Sequence, residues 1–154
     1  MEFLNDEFFM KEAIKEAQKA LEKDEVPIGA IIVHNNQIIA RAHNLTETLN
    51  DVTAHAEIQA ITAASNALGG KYLKDCTIYI TLEPCPMCAG ALYWSQISKI
   101  VYASQDYKMG TFTKGHNLIH PKTIVKKGIL EEQSIELLQK FFKTKRNKFS
   151  INNN

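Results

Sequence analysis

The stretch Cys76-Thr77-Ile78-Tyr79-Ile80-Thr81-Leu82-Glu83-Pro84-Cys85-Pro86-Met87-Cys88 changes character halfway along. Its first seven residues are uncharged and rich in β-branched and aromatic side chains, the composition of a buried strand. A Glu-Pro break follows. Pro86 then suits the first turn of a helix, where its missing N–H costs nothing, and a helix is expected from there to about Ser95. A strand feeding directly into a helix, with sulfur-bearing side chains at the junction, is the unit around which the rest of the chain is read.

Downstream, Lys99–Ala103 reads as a second strand, Thr123–Lys126 as a short further one, and Glu131–Lys148 as a final helix with Ile135, Leu138, Phe141 and Phe142 on its apolar side. Upstream, Thr53 is placed to cap a helix over Ala54–Ala67 that Gly69-Gly70 stops. Before it comes a polar loop, Asn44–Thr53. Val26–Val33 is an apolar β-rich run that turns through His34-Asn35-Asn36-Gln37 into Ile38-Ile39-Ala40, a hairpin. Met10, Ala13, Ile14, Ala17, Ala20 and Leu21 recur at helical spacing within Asn5–Lys23. The order α-β-β-α-β-α-β-β-α predicts an α/β fold, a three-layer α/β/α sandwich around a central mixed five-stranded sheet.

The 154 residues are 45% hydrophobic and 23% charged, which excludes disordered, collagen-like and coiled-coil classes. One domain is expected over residues 1–150, with 151–154 a frayed tail. No apolar run approaches the roughly 20 residues of a membrane span. The acidic start, Met1–Asp6, does not resemble a signal peptide. Cys85 and Cys88 are too close together to staple a fold, so a cytoplasmic location is expected. Net charge is +1, but Lys140, Lys143, Lys145, Arg146 and Lys148 follow Leu137 with no acid among them. That basic end is either a nucleic-acid contact or a solvated helix terminus whose cations suit the macrodipole.

Two segments carry chemistry: Thr53-Ala54-His55-Ala56-Glu57 and Glu83-Pro84-Cys85-Pro86-Met87-Cys88, each opening a predicted helix. Cys85 and Cys88, three apart on a first turn, turn their sulfurs to one point, and His55 offers a nitrogen from another helix start. Three protein ligands with a fourth position left for water is the pattern of a catalytic rather than a structural zinc site. Two positive helix ends favour thiolates there. Glu57 is placed to handle the proton of a zinc-bound water without being a ligand. A Cys-x-x-Cys alone is equally compatible with redox chemistry, but such a site needs neither His55 nor Glu57. Cys76, inside an apolar strand, reads as core.

His55-Ala56-Glu57 with Pro84-Cys85-Pro86-Met87-Cys88-Ala89-Gly90-Ala91 resembles the signature of the zinc-dependent cytidine and nucleotide deaminase superfamily, whose chemistry is well established. Within it the chain is most similar to bacterial tRNA-specific adenosine deaminases, through Glu25–Ala30, Ala42-His43-Asn44, Thr53–Glu57, Tyr79–Cys85 and Phe141-Phe142 with the basic residues after them. The resemblance implies a cytidine deaminase-like fold and one Zn2+ per chain held by His55, Cys85 and Cys88. It implies Glu57 as the proton shuttle in converting a wobble adenosine to inosine. Asn44 and the Ala56 backbone would meet the flipped base, with Pro27 and Ile28 forming an apolar wall. Asp106, Lys108 and Phe142 would meet the RNA. The implied partners are the anticodon arm of a tRNA, typically an arginine tRNA, and a second copy in a homodimer.

Residues 111–121 depart from the pattern of that group, and Tyr93-Trp94 resembles the guanine deaminases of the superfamily. A free purine deaminase with the same zinc site is therefore the alternative enzyme. A non-catalytic RNA-binding or assembly subunit with structural zinc is the alternative of another class. The carboxylate of Glu57 speaks against the latter, because a structural zinc does not need one.

Overall fold

The computed structural model describes residues 4–152, with side chains from residue 4 to 148. In chain order its elements are α1 (Asp6–Glu22), β1 (Gly29–His34), β2 (Gln37–His43), α2 (Ala56–Leu68), β3 (Cys76–Leu82), α3 (Pro86–Ser95), β4 (Lys99–Ser104), β5 (Ile124–Lys127) and α4 (Glu131–Asn152). The five strands form one mixed sheet in the order β2-β1-β3-β4-β5. β1 pairs antiparallel with β2 and β3, whereas β3, β4 and β5 run parallel. The expected three-layer α/β/α sandwich is what forms.

Each face of the sheet carries its own apolar core. Phe9, Met10, Ala13 and Ile14 of α1 pack on Ile31, Val33, Tyr79 and Val101. On the opposite face Ala56, Ala60 and Ala64 of α2 and Leu92 of α3 pack on Ala30, Ile32, Ile78, Ile80 and Ile100. Side chains alternate across a strand, so β1 and β3 feed both cores, which explains their nearly unbroken apolar sequence. Cys76 is fully buried in the α2–α3 core, and burial pushes its thiol up.

Local chemistry sets the element ends. The Asn5 side chain accepts from the Phe8 N–H (2.8 Å), capping α1. Asn35 and Asn36 sit at φ 51° and 59°, the left-handed pair that a two-residue hairpin turn needs and that Asn tolerates best after Gly. Gly69, at φ 70°, ends α2.

Two expectations are corrected. Thr53 does not cap α2. Its hydroxyl and N–H both donate to the Asp51 carboxylate (2.7 and 2.8 Å), and the helix begins at Ala56 with His55 in the cap position. The apolar side of α4 is rotated from the one expected. Ser134, Leu137 and Phe141 turn inward, whereas Ile135 and Phe142 are 36% and 46% exposed and face a groove. Ser134 accounts for the rotation, since its hydroxyl donates to the Thr81 carbonyl of β3 (2.5 Å) and fixes which face of α4 meets the sheet. Of the tail expected to fray, Ile151 and Asn152 still belong to α4, and Asn153 and Asn154 lie outside the described residues.

α1 approaches β1 so closely that a Cβ on Gly29 would lie 2.1 Å from the Ala13 carbonyl oxygen and 2.5 Å from the Ala17 nitrogen. These neighbours are helix backbone and have no rotamer to change. Gly29→Ala is expected to destabilise the fold by about 3 kcal/mol, the upper range of core overpacking, read as a lower urea midpoint at unchanged m-value.

Candidate active site

β3 and α3 form a strand-to-helix unit whose junction lies at the carboxyl end of the strand, where sites on α/β sheets concentrate. The N-termini of α2 and α3 meet there. His55 and Cys85 are the N-cap residues of these two helices; His55 makes no side-chain cap bond, and the Cys85 sulfur is hydrogen-bonded to Cys88 in the first turn of α3. The two cap side chains also face each other. His55 Nδ1 lies 3.7 Å from Cys85 Sγ and 3.5 Å from Cys88 Sγ, and the three donor atoms fall within 4.8 Å of one another.

The spacing can be compared with that of an ion at the centre. Tetrahedral zinc, with Zn–S near 2.3 Å and Zn–N near 2.0–2.1 Å, separates a nitrogen and a sulfur ligand by about 3.6 Å. The donor set and its spacing therefore fit a soft divalent metal. Charge points the same way. The hydrogen bond from Cys88, aided by His55, outweighs burial and pulls the Cys85 thiol down to about 4. Cys88 is driven up by that same bond and by burial. The His55 imidazole is raised, chiefly by its hydrogen bond with Cys85. Metal binding at such a group requires deprotonated sulfurs and a neutral imidazole, so it is coupled to proton release.

Glu57 sits within the first turn of α2, 4% exposed, and lies outside the three-donor group. Burial pushes its carboxyl up, and its side chain is within hydrogen-bonding reach of Cys88. A buried carboxyl of raised pKa beside a group of side chains that could hold a metal is equipped to accept and return a proton.

A groove of about 910 Å³ opens between the chain entering β1, the segment Ser104–Met109 and α4. Of the residues expected to meet substrate, Ile28, Asp106, Lys108 and Phe142 line it. Pro27 is buried, and Ala56 is wholly buried at the first position of α2. Asn44 is 5% exposed, and its amide holds the backbone: Nδ2 donates to the Val26 carbonyl (3.5 Å) and Oδ1 accepts from the Thr46 N–H (3.3 Å). Asp106 likewise accepts from the Lys108 and Met109 N–H groups (3.0 and 3.2 Å). Sequence reasoning missed Tyr107 and Met109 in the groove wall, along with two buried carboxylates, Glu25 and Glu83. A charged residue beside a strand-to-helix junction was the available signal for Glu83.

Residues 4–146 match the family model described as MafB19-like deaminase. The chain belongs to the MafB19-like deaminase family. It is 49% identical over 148 residues to the tRNA-specific adenosine deaminase of Bacillus subtilis, spanning 93% of this chain and 92% of that one. It resembles a structure solved in biochemical and structural studies of A-to-I editing by tRNA:A34 deaminases at the wobble position of transfer RNA. That match has a TM-score of 0.79 and 43% identity, over 85% of this chain and 99% of the other. A guanine deaminase structure from Bacillus subtilis matches at a TM-score of 0.63 and 43% identity, over 66% of this chain and 65% of that one. This deaminase chain has no helix, among its described residues, long and apolar enough to cross a membrane.

The geometry generates a test by metal removal. His55→Ala, Cys85→Ser and Cys88→Ser are expected to weaken zinc binding by more than the roughly 10- to 100-fold that losing an outer-shell residue costs. Glu57→Ala and Cys76→Ser should retain the metal. A chelator-competition titration with metal analysis checks each.

Proposed function

We propose that this chain is a zinc-dependent tRNA adenosine deaminase that converts the wobble adenosine of an anticodon to inosine, releasing ammonia. The observation that carries the chemistry is the convergence of His55, Cys85 and Cys88 beside a buried Glu57. The tRNA-specific adenosine deaminase of Bacillus subtilis, 49% identical, supports the substrate. In this reading His55, Cys85 and Cys88 hold one zinc per chain. When bound, zinc supplies a water of lowered pKa, and so a nucleophile at neutral pH. Glu57 would take the water proton and deliver it to N1 of the adenine ring, then take the proton of the new C6 hydroxyl and give it to the departing amine.

The remaining residues bind and orient. Asn44 keeps one amide N–H and one carbonyl lone pair for the base after its two backbone bonds. The Ala56 backbone borders the base, and Ile28 forms its apolar wall with Pro27 packed behind. Lys108 and Phe142 line the same groove from the loop and from α4, a cation and an exposed ring suited to the phosphates and splayed bases of an anticodon loop. Asp106 contributes by shaping the loop that presents Lys108.

The partner is the anticodon arm of a tRNA, an arginine tRNA in this reading, and a second copy of the chain. Met87, Tyr93 and Trp94 leave an apolar patch on α3, with Trp94 76% exposed, which supports homodimer formation. Residues 1–150 act as a single deaminase domain, and the cytoplasm is the compartment where its thiolates stay reduced. A free purine deaminase remains the competing reading, supported by the guanine deaminase match and by Tyr93-Trp94.

An inosine assay on an ACG-anticodon tRNA, run beside free guanine, adenosine and cytidine, tests the reading. Inosine is expected in the tRNA alone, and ammonia from a free base alone would overturn the substrate. Glu57→Ala should lower kcat by roughly 10²- to 10⁴-fold with zinc retained. A second expectation concerns ionic strength. Replacing Lys143, Lys145 and Arg146 with Gln should flatten the log affinity against log salt plot by about 0.7 for every phosphate contact removed. Filter binding of the tRNA across a salt series measures that slope.

A further inference from the structure

The Glu83 side chain is 2% exposed and takes no part in the reaction described above. Both of its carboxylate oxygens are nevertheless occupied. Oε1 accepts from the Asp106 N–H (3.2 Å) and the Thr113 hydroxyl (2.5 Å). Oε2 accepts from the N–H groups of Phe112 (2.8 Å) and Thr113 (2.9 Å). One buried carboxylate thus grips both ends of loop 106–113. Burying an ionised carboxylate is costly unless strong hydrogen bonds replace its water, and these four do so.

Between the gripped ends, Tyr107, Lys108 and Met109 are exposed and line the groove. The neighbouring residue adds a further tie, because the Pro84 carbonyl accepts from the Thr111 N–H (3.0 Å). Gly110 shows how closely the loop closes over the carboxylate. A Cβ there would lie 2.3 Å from Glu83 Oε2 and 2.5 Å from the Asp106 carbonyl oxygen. On its other side Glu83 is separated from Cys85 only by Pro84, whose ring fixes φ and leaves little slack.

We propose that Glu83 is a positioning residue: its buried carboxylate locks the groove loop 106–113 to the metal-binding turn Cys85–Cys88, keeping the nucleotides held by the loop in register with the base being deaminated. The proposal rests on the tRNA deaminase reading for its substrate. Glu83 touches neither base nor metal ligand in this role. Its removal therefore loosens substrate capture, leaving the groups that do the chemistry in place.

The test uses the full-length, zinc-loaded protein as wild type, E83A, E83Q and G110A. Zinc content, kcat and KM on an anticodon stem-loop, and amide exchange at Phe112 and Thr113 are measured for each. E83A is expected to keep its zinc, to raise KM on the order of 10- to 100-fold with kcat changed only a few-fold, and to speed exchange at both amides. E83Q keeps a carbonyl for the Phe112 and Thr113 N–H groups and turns its amide to the Thr113 hydroxyl, losing only the Asp106 bond, so its KM rises less. G110A should behave like E83A although the carboxylate is intact. Should E83A fail to fold, Thr113→Val removes only the hydroxyl bond and gives the same KM effect in smaller measure.

Unchanged KM with unchanged exchange overturns the proposal. So does a kcat that falls in step with lost zinc at constant KM, which would make Glu83 a support of the metal turn alone. Wild-type protein inactive on the stem-loop would instead overturn the RNA reading. The exchange rates then still decide whether Glu83 holds the loop.

Discussion

His55 and Cys85 occupy the N-cap positions of α2 and α3, and both helices forgo a side-chain cap. Ser, Asn or Asp at such a position would satisfy a helix N–H and typically stabilise by about 0.5–2 kcal/mol. Here the two cap side chains turn towards each other, so that the His55 nitrogen lies 3.7 and 3.5 Å from the Cys85 and Cys88 sulfurs. Much of the remaining architecture serves this meeting. The alanine face of α2 lets that helix lie close on the sheet, and Pro86 starts α3 immediately after the cap. The free N–H groups and dipoles of both first turns then favour negative charge on sulfur. Local stability is given up at the point where the chemistry is assembled, as is usual for functional sites.

Around that centre the loops are held by buried carboxylates rather than by apolar packing. Glu25, fully buried, accepts from the Glu47 and Thr48 N–H groups (3.0 and 2.7 Å). Burial alone would raise it, but these backbone bonds hold its carboxyl below the ordinary value. Glu83 treats loop 106–113 in the same manner. Glu25 precedes the Val26–Ile28 wall of the groove, and Glu83 precedes the turn that carries Cys85 and Cys88. A backbone loop cannot be buried without acceptors for its N–H groups, and a carboxylate with two oxygens serves several of them from one position. The groove therefore has rigid walls although irregular segments form much of it.

The regular elements were largely readable from sequence because their signals are local. Cys76–Leu82 is a strand with the bounds its composition implies, and Asn35-Asn36 and Gly69 end elements through their tolerance of left-handed backbone. The convergence of His55, Cys85 and Cys88 was readable for a different reason: His, Cys and Cys at helix starts have few other uses together. What escaped was tertiary. Thr53 looks like a cap until Asp51 claims its hydroxyl. The face of α4 was misjudged because a serine, Ser134, rather than an apolar residue fixes its rotation by reaching the Thr81 carbonyl. Asn44 and Asp106 each spend hydrogen-bonding capacity on local backbone, which spacing along a chain does not reveal.

The rotation of α4 has a consequence for what the groove accommodates. Ile135 and Phe142 face the groove and not the core. Turned outward, they join Leu138 in an apolar wall, and Lys145 and Arg146 follow one turn further along the same helix. Lys145 is already committed, bonded to Asp24 at 2.6 Å and lying 5.5 Å above the Phe141 ring. Its charge is paired with Asp24 at the turn after α1 in an exposed ion pair, which contributes little to stability. A groove of about 910 Å³ is near the upper end of small-molecule pockets, which enclose most of their ligand's surface. A single purine would leave most of this wall wet, whereas several unstacked nucleotides would cover its rings and meet Lys108 at the rim. The orientation of α4 therefore bears on substrate choice, because it turns Ile135, Leu138 and Phe142 towards the groove.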